Sequence, residues 1–401
     1  MFGSDSVTRR TAVKVLGALG LGSGMLASAG VAQPSDFVPE RSAREVAKAK
    51  VEQLAGDDDF EDWERGGVAR PELFYRPTSN EGGYAPTVYV FPVERSGTDV
   101  GYVTVAARKS LDPVLEFGTG PAPQHRLESA TSSPDVDHLS ATGRFLYGGA
   151  NTYGVEAVPT ESDHTGPRMI DLGGGFSGSL PVAPSVEEAF ELDSDAARAE
   201  WTEIERTSAD AWTDDVSTQS SDEISGVPNW TENDDGDADV EYPDNVGNSD
   251  DPWSRWDGCA PIAGSMAVGY HEGTWSSQRN ALIDRLHYKM GTDDDGYTYP
   301  GGIPTGIEAY DRGYYDYSAF NVVPGDFRSR RAHTKDQIGK GNPPVLMTVD
   351  DAKDKSGHAE TVIGYYDGSS FYYKCHDTYG NENWILHKSW DWGGVTVIEP
   401  E

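Results

Sequence analysis

The chain has few cysteines and few positive charges. Two cysteines among 401 residues leave no disulfide framework to hold a small, loop-rich fold. Lys and Arg number 32 against 67 Asp and Glu, which gives a formal net charge of −35. This balance argues against nucleic acid as a partner, because phosphate contacts need Lys and Arg, and it disfavours binding to anionic lipid for the same reason.

Several common catalytic motifs are also missing. The sequence has no Cys-x-x-Cys pair, no His-Glu-x-x-His and no glycine-rich phosphate loop, so we expect neither a metal nor a cofactor. The acids Asp235, Asp237, Asp239 and Glu241 alternate as in a calcium loop, but Val240 stands where an EF-hand needs glycine. We interpret them, with most of the acidic excess, as a solvated surface that resembles those of haloarchaeal proteins.

The longest apolar run lies near the N-terminus, and it is too short and too rich in glycine for a membrane-spanning helix. Thr8–Lys14 is a twin-arginine pattern, Val15–Val31 is apolar and glycine-rich, and small residues before Ala32 suit cleavage. Residues 1–32 are therefore predicted to be a signal peptide for export by the twin-arginine route, which indicates an extracellular or cell-surface protein. No later segment reaches the length of a spanning helix, so we expect no stable membrane insertion.

The rest of the chain is predicted to form two domains of the α+β class. Residues 33–175 read as a smaller α+β domain, with a helix around 46–54 and a hairpin of strands at 87–93 and 101–107. Residues 176–225 read as an acidic linker with a helix at 186–212. Residues 226–401 hold both cysteines and seven of the ten tryptophans, which indicates a packed domain.

Cys259 is predicted to stand at the start of a helix. Gly258 allows a tight turn, Pro261 suits a first helical turn, and Ile262 and Met266 continue at a helical period. Unpaired N–H groups and the helix dipole favour thiolate at that place, and thiolate is the nucleophilic form. The alternative is a small buried residue at the start of a core helix.

His358 and Asp377 are the candidate partners of the cysteine. His358 begins an apolar strand, and Asp377 ends the next strand, so that neighbouring antiparallel strands would bring the two to one sheet edge. The histidine would take the thiol proton and the aspartate would orient the imidazole. Cys375, two residues before Asp377, is either a core cysteine or the partner of Cys259 in a disulfide that blocks the nucleophile.

Three motifs carry a resemblance to a known family. The runs at 258–261, 357–359 and 376–380 resemble the papain-like cysteine peptidases, and most of all the bacteriocin-processing double-glycine peptidase group. The resemblance implies a papain-like fold, in which a helix bearing the cysteine packs on an antiparallel sheet bearing the histidine and the aspartate. It implies that these three are nucleophile, base and orienting residue.

The sequence departs from that family before the cysteine. Family members usually have a glutamine there, whose amide helps to stabilise the oxyanion, and no glutamine lies between Asn248 and Trp256. Asn248 is the candidate substitute, with Ser254 or a backbone amide as alternatives. Loss of one such donor costs on the order of a hundredfold or more in rate.

The resulting expectation is an exported cysteine peptidase that acts on peptide or protein substrates. The 33–175 domain resembles the propeptide of streptopain-type peptidases, which implies a precursor whose N-terminal domain docks on the catalytic cleft. An equally open interpretation of that domain is a module for binding or attachment. The alternatives for the whole protein are a catalytically inactive secreted module that binds peptide or cell-envelope polymer, and a thiol acyltransferase or amidase.

Overall fold

A computed structural model describes most of the chain after residue 35. The described residues are 36–79, 83–133, 136–160, 168–173, 177–178, 185–186, 194–207, 220–231, 258–274, 278–293, 296–311, 313–322, 327–351, 356–368, 370–387 and 392–401. The predicted signal peptide, the acidic run from Asp235 to Glu241 and the oxyanion candidate Asn248 lie outside them. Within the described residues, no helix has the length and apolar character needed to cross a membrane.

The front region, defined here as residues 37–207, is rich in strands. Its helices are α1 (Glu40–Leu54), α2 (Leu127–Thr131) and α3 (Ser194–Thr207), with 3₁₀ helices at Asp58–Arg65 and Pro123–Arg126. Its strands are β1 (Gly67–Val68), β2 (Glu72–Thr78), β3 (Gly83–Arg95), β4 (Thr98–Ala106), β5 (Val114–Thr119), β6 (Leu139–Gly149), β7 (Thr152–Pro159), β8 (Arg168–Asp171) and β9 (Ser177–Gly178). The predicted helix around 46–54 is confirmed within α1.

The rear region, residues 220–401, has four helices and seven strands among its described residues. Its helices are α4 (Cys259–Glu272), α5 (Arg279–Met290), α6 (Gly302–Glu308) and α7 (Phe327–Lys340). Its strands are β10 (Ser220–Glu223), β11 (Tyr317–Val322), β12 (Val345–Asp351), β13 (Ser356–Asp367), β14 (Phe371–His376), β15 (Glu382–Leu386) and β16 (Trp392–Pro400).

The predicted hairpin is confirmed as β3 and β4. The two strands pair antiparallel from Val88–Ala106 to Arg95–Thr98, and the connection between them is Ser96-Gly97. Both connecting residues have positive φ, at 56° and 81°. Two-residue turns of this kind match the twist of paired strands, which explains why the polar run between the two apolar segments folds the chain back.

One sheet runs through both regions. Its strand order is β11-β16-β12-β13-β14-β15-β5-β4-β3-β2-β6-β7-β8-β9, with β1 paired to β3 and β10 paired to β13. The regions join where β15 pairs antiparallel with β5. The fold is thus a mixed α/β one with a large, mainly antiparallel sheet, and the sheet continues past the boundaries predicted at residues 175 and 225. Those boundaries stay a prediction.

Helix α4 packs on the rear part of the sheet. Residues 260–269 of the helix are buried, and Ile262, Met266 and Ala267 share an apolar core with Val345 and Ala359 of β12 and β13. The hydroxyl of Thr361 donates a hydrogen bond of 2.8 Å to the carbonyl of Ala263. The core and this hydrogen bond fix the helix that carries Cys259 against the strand that carries His358.

Candidate active site

Cys259 is the first residue of α4, as the sequence predicts. Gly258 precedes it with φ of 94°, a conformation that glycine adopts easily. The thiol of Cys259 meets the backbone N–H groups of Ala260 and of Cys259 itself, at the helix start, and the N–H of Ala359 on β13. The sulfur therefore lies against the residue that follows His358 in the chain.

Burial favours the neutral form of the Cys259 thiol. Cys259 is partly exposed as a residue, but burial of its thiol raises the pKa to about 11, and the N–H groups around the sulfur offset only part of that rise. The raised pKa favours the thiol over the thiolate that the helix start predicts, because loss of solvation outweighs the N–H groups. Both cysteines are free, so no disulfide joins Cys259 to Cys375.

His358 lies near the beginning of β13, as predicted, and is buried. Its backbone carbonyl accepts a hydrogen bond of 3.2 Å from the hydroxyl of Thr348 on β12. Its imidazole stacks on the ring of Tyr379, with centroids 5.3 Å apart and planes 7° apart. Burial lowers the pKa of His358 to about 4, although the charge of Asp377 acts in the opposite direction. The imidazole is therefore neutral near pH 7.

Asp377 follows the last residue of β14, and it is fully buried. Its Oδ1 accepts the backbone N–H groups of Tyr379 and Asn381 at 3.0 and 2.6 Å. Its Oδ2 accepts the side-chain amides of Asn381, Asn383 and Asn151 at 2.9, 3.1 and 3.5 Å. Among the described residues no hydrogen bond joins Asp377 to His358, so the influence of Asp377 on the imidazole is electrostatic.

Glu360 is a buried acid near the site that the sequence analysis did not single out. It lies on β13 two residues after His358, and its Oε1 is 3.5 Å from Nε2 of His358. Burial, and secondarily the charge of Asp377, raise the pKa of Glu360 well above its usual range. A charged residue inside an apolar strand, at the spacing that puts it on the same face as the histidine, is the signal that could have found it.

The front region also reaches the site. The side-chain amide of Asn151 donates a hydrogen bond of 2.9 Å to Oε1 of Glu360. The hydroxyl of Tyr379 is hydrogen-bonded to Asp171 at the end of β8. A Cβ at Gly173 would overlap the ring of Tyr379, which shows how closely the turn after β8 packs there. Three front-region residues thus contact the surroundings of His358.

The site contains two N–H groups that can face a developing oxyanion. These are the backbone N–H groups of Cys259 and Ala260, which already face the sulfur. Asn248, the predicted additional donor, lies outside the described residues. Within the described ranges, no group of three or more His, Cys, Asp or Glu side chains is arranged to hold a metal ion.

Part of the chain matches a known protein family. The part of the chain from residue 240 to residue 392 matches the model of the Peptidase_C39 like family. The match supports a papain-like, cysteine peptidase type of family for this part of the chain, and it suggests a papain-like fold. Comparison with curated proteins gives no match.

Proposed function

We propose that the protein is a thiol hydrolase that cleaves peptide bonds, with Cys259 as nucleophile and His358 as base. The observation that supports this most is the position of the Cys259 sulfur at the start of α4, against the backbone of the residue next to His358. A nucleophile at a helix start and a histidine on the facing strand are the parts that acyl transfer needs.

In the proposed reaction His358 accepts the proton of the Cys259 thiol while the sulfur attacks the substrate carbonyl carbon. The S–C bond forms, and the carbonyl π pair moves to the oxygen, which the N–H of Cys259 stabilises. When the oxyanion collapses, the C–N bond breaks and His358 gives its proton to the leaving amine. Water, deprotonated by His358, then hydrolyses the thioester and restores the thiol.

The resting protonation states favour transfer of the proton during attack. A Cys259 thiol with a pKa of about 11 and a His358 imidazole with a pKa of about 4 do not form an ion pair before substrate arrives. A second candidate function is a module in which the papain-like part only binds peptide or cell-envelope polymer, since binding needs no ion pair at rest. Hydrolysis and binding are therefore both measured in the test below.

Two alanine variants and one matched control test the proposal. We expect Cys259→Ala and His358→Ala to lower hydrolysis of a mixed set of fluorogenic peptides at least about a hundredfold, the low end of general-base contributions. His376→Ala is the control, because His376 is also buried and lies on the neighbouring strand β14, where it contacts the carbonyl of Pro228 at 3.0 Å. All assays use concentrated salt, which screens the charge of −35.

Mass spectrometry of a covalent adduct separates the two functions. A peptidyl epoxide should label Cys259 in the wild-type chain and leave Cys375 unlabelled, since Cys375 is fully buried. Peptide binding without hydrolysis or labelling would support the binding module and overturn the hydrolase. Hydrolysis that survives Cys259→Ala would overturn the nucleophile assignment.

We further propose that the front region supports the site and that the protein is exported. The contacts of Asn151 with Glu360 and of Asp171 with Tyr379 argue for support. Export rests on the twin-arginine pattern at residues 8–14. N-terminal sequencing of the exported protein would give the cleavage site, and a mature N-terminus beyond residue 175 would contradict a supporting role for the front region.

A further inference from the structure

His358 and Glu360 face each other inside the protein. Two residues apart on β13, they lie on the same face of the strand, and both are buried. Nε2 of the imidazole is 3.5 Å from Oε1 of the carboxyl group. In the described part of the chain, neither Nε2 of His358 nor Oε2 of Glu360 has a hydrogen-bond partner. A small rotation of either side chain would join them.

Tyr379, and not Asp377, contacts the ring of His358. The pairing of β13 with β14 ends at Thr361 and His376, one residue before Asp377. Beyond that pair the rings of His358 and Tyr379 stack, with centroids 5.3 Å apart.

Asp377 has little capacity left to bind the imidazole. A carboxylate offers about four lone-pair sites. Four hydrogen bonds from Tyr379, Asn381 and Asn383 take them, at distances of 2.6 to 3.1 Å, and the side-chain amide of Asn151 adds a longer one of 3.5 Å. Three of these five come from within four residues of Asp377 in sequence, so the aspartate organises its own turn.

Glu360 is held from two sides. Asn151, whose backbone is left-handed with φ of 60°, donates its side-chain amide to Oε1 at 2.9 Å, and its own backbone N–H goes to Glu116 at 2.9 Å. The thiol of Cys375, on β14, forms a hydrogen bond with the same carboxyl group. These contacts fix the carboxyl group, and among the described residues its Oε2 has no hydrogen-bond partner.

We propose that Glu360 is the positioning residue of His358 and that its carboxyl group selects the imidazole tautomer. This inference rests on the proposed thiol hydrolase. An ionised Glu360 accepts Nε2–H, which leaves Nδ1 with a lone pair that takes the Cys259 proton. A protonated Glu360 donates to Nε2 instead, so the ring proton sits on Nδ1 and the base is blocked.

Activity should therefore rise as Glu360 loses its proton. The titratable groups that face Glu360 are His358 on its own strand, Cys375 and Asp377 on or next to β14, Glu116 on β5 and Tyr102 on β4. Burial and the neighbouring acids hold the proton on Glu360 to a higher pH than usual. The rising limb of the wild-type pH–rate profile should lie above the ordinary glutamate range.

Nitrogen NMR of the full-length protein tests the tautomer directly, whether or not hydrolysis is seen. We expect the wild type to change from the Nδ1–H to the Nε2–H form of His358 as pH rises, and Glu360→Gln to remove this change. Glu360→Ala should leave no pH-dependent tautomer preference and lower kcat on the order of a hundredfold, with little effect on KM. Glu382→Gln is the matched control, since Glu382 lies 3.4 Å from Nε2 of a different buried histidine, His376.

Asp377→Asn tests the competing assignment, in which Asp377 orients the imidazole of His358. If that variant, and not Glu360→Gln, removes the tautomer change, the inference is overturned and Asp377 is the orienting residue. A role of Glu360 in folding alone would lower the amount of active enzyme and leave the pH–rate profile unchanged, which would also overturn it. Absence of hydrolysis in the wild type would instead contradict the proposed function, and the NMR result would still decide the role of Glu360.

Discussion

Glu116 is a fully buried acid among hydrogen-bond donors. The hydroxyl groups of Tyr147 and Tyr153 each donate to its carboxyl group at 2.6 Å, and the backbone N–H of Asn151 donates at 2.9 Å. Burial nevertheless raises the pKa of Glu116, because the three donors return only part of the lost solvation. One carboxyl group thus connects two tyrosines to the residue that holds Glu360.

The raised pKa of Glu116 makes the stability of the protein depend on pH. The folded chain keeps the proton of Glu116 at pH values where the unfolded chain has lost it. The contribution of this group to folding stability is therefore complete below pH 4.5 and is lost as pH rises through the folded pKa. We expect Glu116→Gln to gain stability relative to wild type above that pH, by about 1.4 kcal/mol for each unit of the shift. Urea unfolding between pH 4 and pH 8 measures the difference.

Glu156→Gln is the control with the opposite sign. Although burial opposes it, hydrogen bonds from Tyr84, Thr142 and Arg144 lower the pKa of Glu156. The contribution of Glu156 to folding stability is therefore present above the usual glutamate pKa and lost as pH falls. At neutral pH we expect Glu156→Gln to be less stable than wild type. If Glu116→Gln and Glu156→Gln change the free energy of unfolding in the same direction at neutral pH, the interpretation of Glu116 is wrong.

At the scale of elements, the start of α4 depends on one glycine. Gly258 has φ of 94°, and a Cβ there would overlap the backbone carbonyl oxygen of Gly296. The conformation and the close approach together explain why the chain can turn into a helix whose first residue is Cys259. At the other end, Gly273 has φ of 63° with open space around it.

Alanine substitutions at Gly258 and Gly273, the two ends of α4, should separate the cost of backbone strain from the cost of steric overlap. Gly273→Ala introduces only left-handed strain, which costs about 1–2 kcal/mol. Gly258→Ala adds a clash with the backbone, so we expect it to destabilise the protein by at least about 1 kcal/mol more. Thermal and urea unfolding measure both variants. An equal loss in the two would mean that the contact with Gly296 is unimportant.

At the scale of the whole molecule, several contacts cross from the front to the rear region. The ring of Phe117 stacks on that of Trp384 with centroids 5.6 Å apart. The hydroxyl of Tyr102 donates to Asn383 at 2.9 Å, and that of Tyr372 donates to the carbonyl of Val114 at 3.0 Å. Residues 37–401 form one compact unit. The rear region therefore shares its sheet with the front region and contacts it through buried side chains.

We expect residues 37–401 to unfold in a single cooperative transition. The β5–β15 pairing and the buried contacts beside it couple the described parts of the two regions. Unfolding of one region would therefore expose buried surface of the other. Scanning calorimetry should give a calorimetric enthalpy equal to the van't Hoff enthalpy. Phe117→Ala, which removes a fully buried ring at the join, should lower the single transition temperature.

Two resolved transitions would contradict this expectation and favour separate domains. The same result would follow from a removable front domain of the propeptide kind, which stays a prediction. Calorimetry therefore decides between an integral front region and a detachable one.

Local sequence determined the elements that carry the candidate site. The turn at Gly258 followed by a helical period predicts α4, and apolar runs rich in β-branched and aromatic residues predict β3, β4, β13 and β14. These predictions hold because turns, helix starts and strand alternation depend on neighbours in sequence. The choice of Cys259 and His358 as candidates followed from where these elements begin.

Only the tertiary structure decided what surrounds those two residues. Asn151 lies 209 residues before Glu360, and the pairing of β13 with β14, which ends at Thr361 and His376, brings Glu360 close enough to Asp377 for their charges to interact. The pKa of the thiol also depends on the tertiary structure. Sequence predicts a thiolate at a helix start, but burial against β13 raises the thiol pKa to about 11, because desolvation depends on the whole surrounding shell of atoms.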